Sequence, residues 1–151
     1  MSSLLLLLPV LALQSQPLTA SELSLGAASL VARQTFAGAE LGFARRPSAD
    51  MRLAFAAAGG AEAGRAAARA QLTVQMLVNS LARTGAGIYG GVGGAFAARE
   101  RTPGRTYLAV VLGVEAKPGR RHGWYLELGF AGGVRAAAGW RLRFYPVWWR
   151  G

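Results

Sequence analysis

Few side chains in this 151-residue chain have the chemistry for catalysis or ligation. The only histidine is His122, in Arg120-Arg121-His122-Gly123-Trp124. A nucleophile activated by it would have to be brought close by folding, with Ser80 or Thr102 as the candidates, because no hydroxyl neighbours it in sequence. Cysteine is absent, so disulfides, thiolate metal sites and a lipid-modified cysteine are excluded. One histidine and dispersed carboxylates make no metal-ligand set, and no metal or other cofactor is expected. Gly90-Gly91-Val92-Gly93-Gly94 lacks the Lys-Ser/Thr ending and the following helix of a phosphate loop, and reads as close backbone packing. No catalytic residue is assigned. What remains is ion pairing: sixteen Arg and one Lys against seven acids, net charge +10. These arginines are spread about one per strand-length segment, with no basic helix or zinc-finger spacing, so nucleic acid is not an expected partner.

The pattern that holds these charges has period two. Thr106, Leu108, Val110, Leu112 and Val114 share one face, and Arg105, Tyr107, Ala109, Val111, Gly113 and Glu115 the other. The same rule sets Trp124, Leu126, Leu128 and Phe130 against Tyr125, Glu127 and Gly129, and Trp140, Leu142 and Phe144 against Gly139, Arg141, Arg143 and Tyr145. Ala66, Ala68, Ala70, Leu72, Val74 and Met76 face away from Arg65, Arg69, Gln71, Thr73 and Gln75, so that alanine-rich stretch is a strand despite its helical propensity. Eight strands are predicted, near 22–32, 34–45, 50–58, 65–77, 86–98, 105–116, 123–131 and 136–145. Turn chemistry separates them at Arg46-Pro47-Ser48, Gly59 to Gly64, Asn79-Ser80, Thr102-Pro103-Gly104 and Lys117-Pro118-Gly119, which leaves no proline inside a strand. Connectors this short make successive strands antiparallel neighbours.

The predicted fold is therefore all-β: an eight-stranded antiparallel up-and-down β-barrel, with the oily face toward lipid. A soluble exported barrel that turns its oily face inward around a small apolar ligand has the same periodicity. Two features favour the transmembrane form. Gly38, Gly42, Gly87, Gly91 and Gly93 lie on the charged face, as a crowded interior needs, and Trp124, Trp140, Tyr145, Trp148 and Trp149 gather near strand ends as membrane-interface aromatics. The mixed face carries Glu40, Asp50, Glu115 and Glu127 with Arg52, Arg65, Arg69, Arg105, Arg135, Arg141 and Arg143. From these a luminal charge network is expected of Glu40, Arg52, Arg69, Arg105, Glu115, Glu127, Arg141 and Arg143, because a lone ion inside a narrow barrel costs several kcal/mol.

At the N-terminus, Leu4 to Leu13 form an apolar core followed by Gln14-Ser15-Gln16-Pro17 and small residues, the layout of a secretory signal peptide. No Lys or Arg precedes the core, and cleavage fits after Ala12 or Ala20. We read 1–20 as signal and 21–151 as the barrel domain.

Gly139-Trp140-Arg141-Leu142-Arg143-Phe144 resembles the assembly signal on the last strand of bacterial outer-membrane barrels, with Gly139, Leu142 and Phe144 at its marked positions. Ala137 stands where that signal carries a polar residue, and the chain continues through a Trp-rich extension to Gly151. With strand number and length, this makes the chain similar to the small eight-stranded barrels of the OmpA/OmpX type. The resemblance implies residence in the outer membrane of a Gram-negative bacterium, contact with outer-membrane lipid and lipopolysaccharide, and passage through the barrel-assembly machinery. The expected function is non-enzymatic, with a structural, adhesive or envelope-maintenance role and a narrow ion path as an addition. A lipid-modifying barrel enzyme, using His122, and the soluble ligand-binding barrel are the alternatives.

Overall fold

The computed structural model describes residues 18–149. The expected signal peptide, up to residue 17, lies outside them. Eight strands follow in order: β1 (Ala20–Val31), β2 (Thr35–Arg46), β3 (Met51–Glu62), β4 (Arg65–Val78), β5 (Ala86–Arg99), β6 (Thr102–Ala116), β7 (His122–Phe130) and β8 (Val134–Phe144). Each pairs antiparallel with the next, and β8 returns to β1, so the sheet closes as an up-and-down barrel. Closure gives the alanine and glycine segments two hydrogen-bonded neighbours each, which outweighs their weak intrinsic strand preference.

Two strand ends differ from the sequence reading by three residues or more. β3 runs on to Glu62, paired with β2 on one side and β4 on the other, so the connector expected from Gly59 to Gly64 shrinks to Ala63-Gly64. Both of these residues have positive φ, 52° and 74°, the geometry of a two-residue hairpin turn that suits Gly64. β6 begins at Thr102 rather than Arg105, which moves the turn to Glu100-Arg101 and places Pro103 inside a strand. Proline is tolerated there because β6 pairs with β7 only from Val110 to Glu115, leaving Thr102 to Ala109 with β5 alone as neighbour.

The register fixes the shape of the wall. Following paired residues from Glu115 through Tyr125, Gly139, Gly26, Glu40, Ala58, Arg69 and Ala97 leads back to β6 at Arg105, ten residues from the start. A stagger of this size tilts the strands strongly, typically by about 35–45°, and holds the lumen to little more than side-chain width. One rim carries both ends of the described chain and the connectors 47–50, 79–85 and 117–121; we call it the terminal rim. The far rim has only 32–34, 63–64, 100–101 and 131–133. There β5 and β6 rise above the short β7–β8 hairpin, which stops at Phe130 and Val134.

Alternation puts the large apolar residues outside: Leu25, Leu41, Met76, Leu108 and Leu112 are each more than 60 % exposed, among more than twenty exposed large hydrophobic residues. In water each would forgo about 1.5–3 kcal/mol of burial. In hydrocarbon they meet their proper solvent, and the chain is a transmembrane β-barrel. No helix among the described residues is long and apolar enough to cross a membrane; here the strands do so.

Inward glycines admit the large luminal side chains. Tyr89 pairs across from Gly113, and its ring lies where a Cβ at Gly113 would stand. Gly113→Val should therefore displace Tyr89 and lower unfolding stability by about 1–3 kcal/mol, read from urea titration of the folded barrel in micelles.

Candidate functional site

The lumen holds the ionisable side chains that the wall turns inward. Toward the terminal rim, Glu22 from β1 and Glu115 from β6 sit among Arg46, Arg52, Arg141 and Arg143. Glu115 accepts from three guanidinium groups: Arg52 at 2.7 Å, Arg141 at 2.5 Å and Arg143 at 2.8 Å. Glu22 lies 2.9 Å from Arg52 Nε and 3.4 Å from Arg46. Arg52 and Arg143 are fully buried. Four guanidinium groups thus surround two carboxylates, an excess of positive charge in a region of low dielectric.

Midway along the barrel the balance reverses. Arg135 bridges Glu40, at 2.5 Å, and Glu127, and the Tyr89 hydroxyl donates to Glu127 at 2.9 Å. Arg141 links the two groups: its guanidinium lies 5.3 Å from the Tyr89 ring centre and 4.7 Å from that of Tyr125, where cation–π attraction supplements the carboxylates. Near the far mouth Glu62 accepts from Arg69 at 3.3 Å and from Arg99 at 3.5 Å, and Arg69 stands 5.4 Å from the centre of Phe36. Between these layers are two voids of about 20 and 30 Å³, the second lined by Glu22, Ser24, Gln71, Gln75 and Tyr125 among others. Each has room for a water or two, which makes hydration pockets rather than a passage.

Of the eight expected network residues, the structure gathers Glu40, Arg52, Glu115, Glu127, Arg141 and Arg143 in this buried system. Arg69 belongs to the half-buried mouth group with Glu62. Arg105 is exposed on the raised part of β6 and makes no ion pair among the described residues. Asp50 and Arg65, also assigned to the mixed face, are exposed at the rims, whereas Arg135 is central. The sequence reading leaves out Glu22 and Arg46. Parity could have found both, since Glu22 is in phase with Ser24, Gly26 and Ala28, and Arg46 with Glu40, Gly42 and Ala44.

The expected interface aromatics divide. Trp124 and Trp140 pair across β7 and β8 on the outer wall, and Trp148 is exposed beyond β8. Tyr145 instead turns inward and is buried. Its hydroxyl accepts from Arg46 at 2.8 Å and donates to the Pro118 carbonyl, and burial raises its ionisation above the ordinary phenol value, keeping the proton it donates. Trp149 folds over Tyr145 and donates to the Gly119 carbonyl at 3.0 Å. The chain after β8 thus caps the terminal end of the lumen. In the proposed assembly signal, Gly139 packs against Gly26 across the β8–β1 seam, while Leu142 and Phe144 face outward. His122 is exposed, stacked on Trp140 at 6.3 Å between ring centres, and no hydroxyl hydrogen-bonds to it among the described residues. No three His, Asp or Glu side chains gather into a metal site among those residues.

Solved structures share this architecture. The outer membrane protein OprG of Pseudomonas aeruginosa matches with a TM-score of 0.68 at 10% identity, over 88% of this chain and 99% of that one. The N-terminal β-barrel domain of OprF from the same organism matches with a TM-score of 0.64 at 13% identity, over 83% and 97%. The fold is that of the eight-stranded outer-membrane barrels. Ail, the attachment invasion locus protein of Yersinia pestis, is a further likeness, at TM-score 0.53, 13% identity, and coverage of 86% and 100%. No protein-family model and no curated protein matches the sequence.

Glu115 is the carboxylate on which the terminal group depends. Glu115→Gln removes the nearer of the two carboxylates that Arg141 and Arg143 share, leaves Arg52, Arg141 and Arg143 with Glu22 alone, and should cost about 3–5 kcal/mol in urea unfolding. Glu100→Gln, in an exposed far-rim turn, should stay within about 0.5 kcal/mol.

Proposed function

We propose that this protein is a non-enzymatic barrel of the bacterial outer membrane that serves as a compact, closed structural element of the envelope. The observation that carries this reading is an apolar outer wall around a lumen filled by buried ion pairs. Such a core is a plug: moving an ion through it means separating charges 2.5–2.9 Å apart in low dielectric. Far-rim turns of two or three residues present little surface for an adhesive contact, which favours the structural role over the adhesive one.

Orientation follows from assembly. A barrel inserted from the periplasm moves the least polar chain across the membrane when its shortest connectors lead, which places the far rim outside and the terminal rim in the periplasm. The Gly139, Leu142 and Phe144 pattern then suits recognition of β8 by the barrel-assembly machinery. Outer-membrane phospholipid and lipopolysaccharide are the partners of the wall.

Fractionation of cells expressing the full chain tests the location. Recovery with the outer membrane, and unheated protein that migrates faster than boiled protein on electrophoresis, is the expected result; recovery in the aqueous periplasmic fraction would overturn it. In planar bilayers the purified barrel should give no discrete conductance steps in 1 M KCl. Regular steps would replace the closed element with a pore.

A further inference from the structure

The terminal rim carries a feature that a structural plug does not require. Between the 79–85 and 117–121 connectors and the chain after β8 lies a cavity of about 330 Å³, lined by Arg83, Arg120, Arg121, Arg143, Tyr145 and Trp149 among others. Arg120 and Arg121 are exposed, Arg120 being held by its Nε donation to the Arg83 carbonyl at 3.1 Å. Arg143 reaches the same place from inside, with one Nη donating to the Lys117 and Arg120 carbonyls and the other holding Glu115. Among the described residues no acidic side chain lines the cavity. Directly beneath it lies the luminal group in which four guanidinium groups share two carboxylates.

We infer that this cavity binds the headgroup phosphate of an anionic phospholipid, of the phosphatidylglycerol type. Three arguments converge. Over the whole buried network five Arg face four Glu, and the surplus positive charge lies at the terminal end, where Arg143 belongs to both the buried group and the cavity lining. The outward Trp124, Trp140 and Trp148 mark this level as the membrane interface, so the nearest plentiful anions are lipid headgroups. Exposed Phe144 and Trp148 beside the cavity leave apolar wall on which the acyl chains can lie while the phosphate meets the arginines. The inference rests on the transmembrane reading, which fractionation tests separately.

Native mass spectrometry of the full-length barrel in neutral detergent, titrated with phosphatidylglycerol, reads the site directly. One tightly retained lipid is expected, with phosphatidylcholine held at least about fivefold more weakly. The double variant Arg120→Gln/Arg121→Gln should weaken phosphatidylglycerol by roughly ten- to thirty-fold. The far-rim pair Arg33→Gln/Arg65→Gln should leave it unchanged. Each variant is first checked for the heat-dependent mobility shift, and Arg83→Gln takes the place of the double variant if that one does not fold. Equal loss in the far-rim variant would show nonspecific charge attraction and overturn the site. Competition by inorganic phosphate as effective as the lipid would overturn the lipid assignment. Retention of several lipids without saturation would do so too.

Discussion

In hydrocarbon a peptide group has nothing to bond to but another peptide group, and each one left unpaired costs several kcal/mol. A sheet can meet that demand only by closing, and the seam between β1 and β8 is where this chain does so, with pairing from Ser21↔Phe144 to Val31↔Val134. Gly26 and Gly139 face each other in that seam, where any side chain would collide with backbone, so the last closure is made by bare main chain in close approach. Once eight strands close with a stagger of ten, the width of the interior is no longer free to vary. The lumen must be filled by whatever alternate residues the strands supply.

Those residues are mostly small, apart from a set of long ones whose charges must neutralise one another. Guanidinium groups suit the task because several of them can share one carboxylate through separate N–H directions, as Arg52, Arg141 and Arg143 do at Glu115. Tyrosines occupy the space between layers, offering a ring face to a cation and a hydroxyl to an anion, as Tyr89 does toward Arg52 and Glu127. Stability and closure of the lumen are thus one property: the contacts that hold the wall from within also block it.

Much of this was legible in the sequence, because a strand's period of two is blunt and repeats eight times. Strand count, antiparallel order and the facing of Leu108 to Val114 follow from alternation alone. Glu22 and Arg46 escaped because they stand at strand ends, where alternation is short and turn chemistry competes. The extensions of β3 and β6 escaped because Gly59, Gly60, Pro103 and Gly104 signal a turn locally, while the tertiary pairing that overrides them is written in other strands. Tyr145 carries two signals, parity with Arg141 and Arg143 that points it to the lumen and an aromatic type that suits the membrane interface; parity prevails, because Arg46 and Pro118 hold its hydroxyl inside.

The raised hairpin of β5 and β6 leaves Thr102 to Ala109 as a strand with one open side in an otherwise seamless wall. Such an edge is a template on which any extended chain can add itself, and in a crowded membrane the nearest such chain is the same edge of a neighbouring copy. Here the template is spoiled at its tip: Pro103 has no N–H to donate, and Arg105 would meet its own like charge across the join. An uneven crown of this kind is guarded against edge-to-edge zipping by two residues that take no part in the core of the barrel.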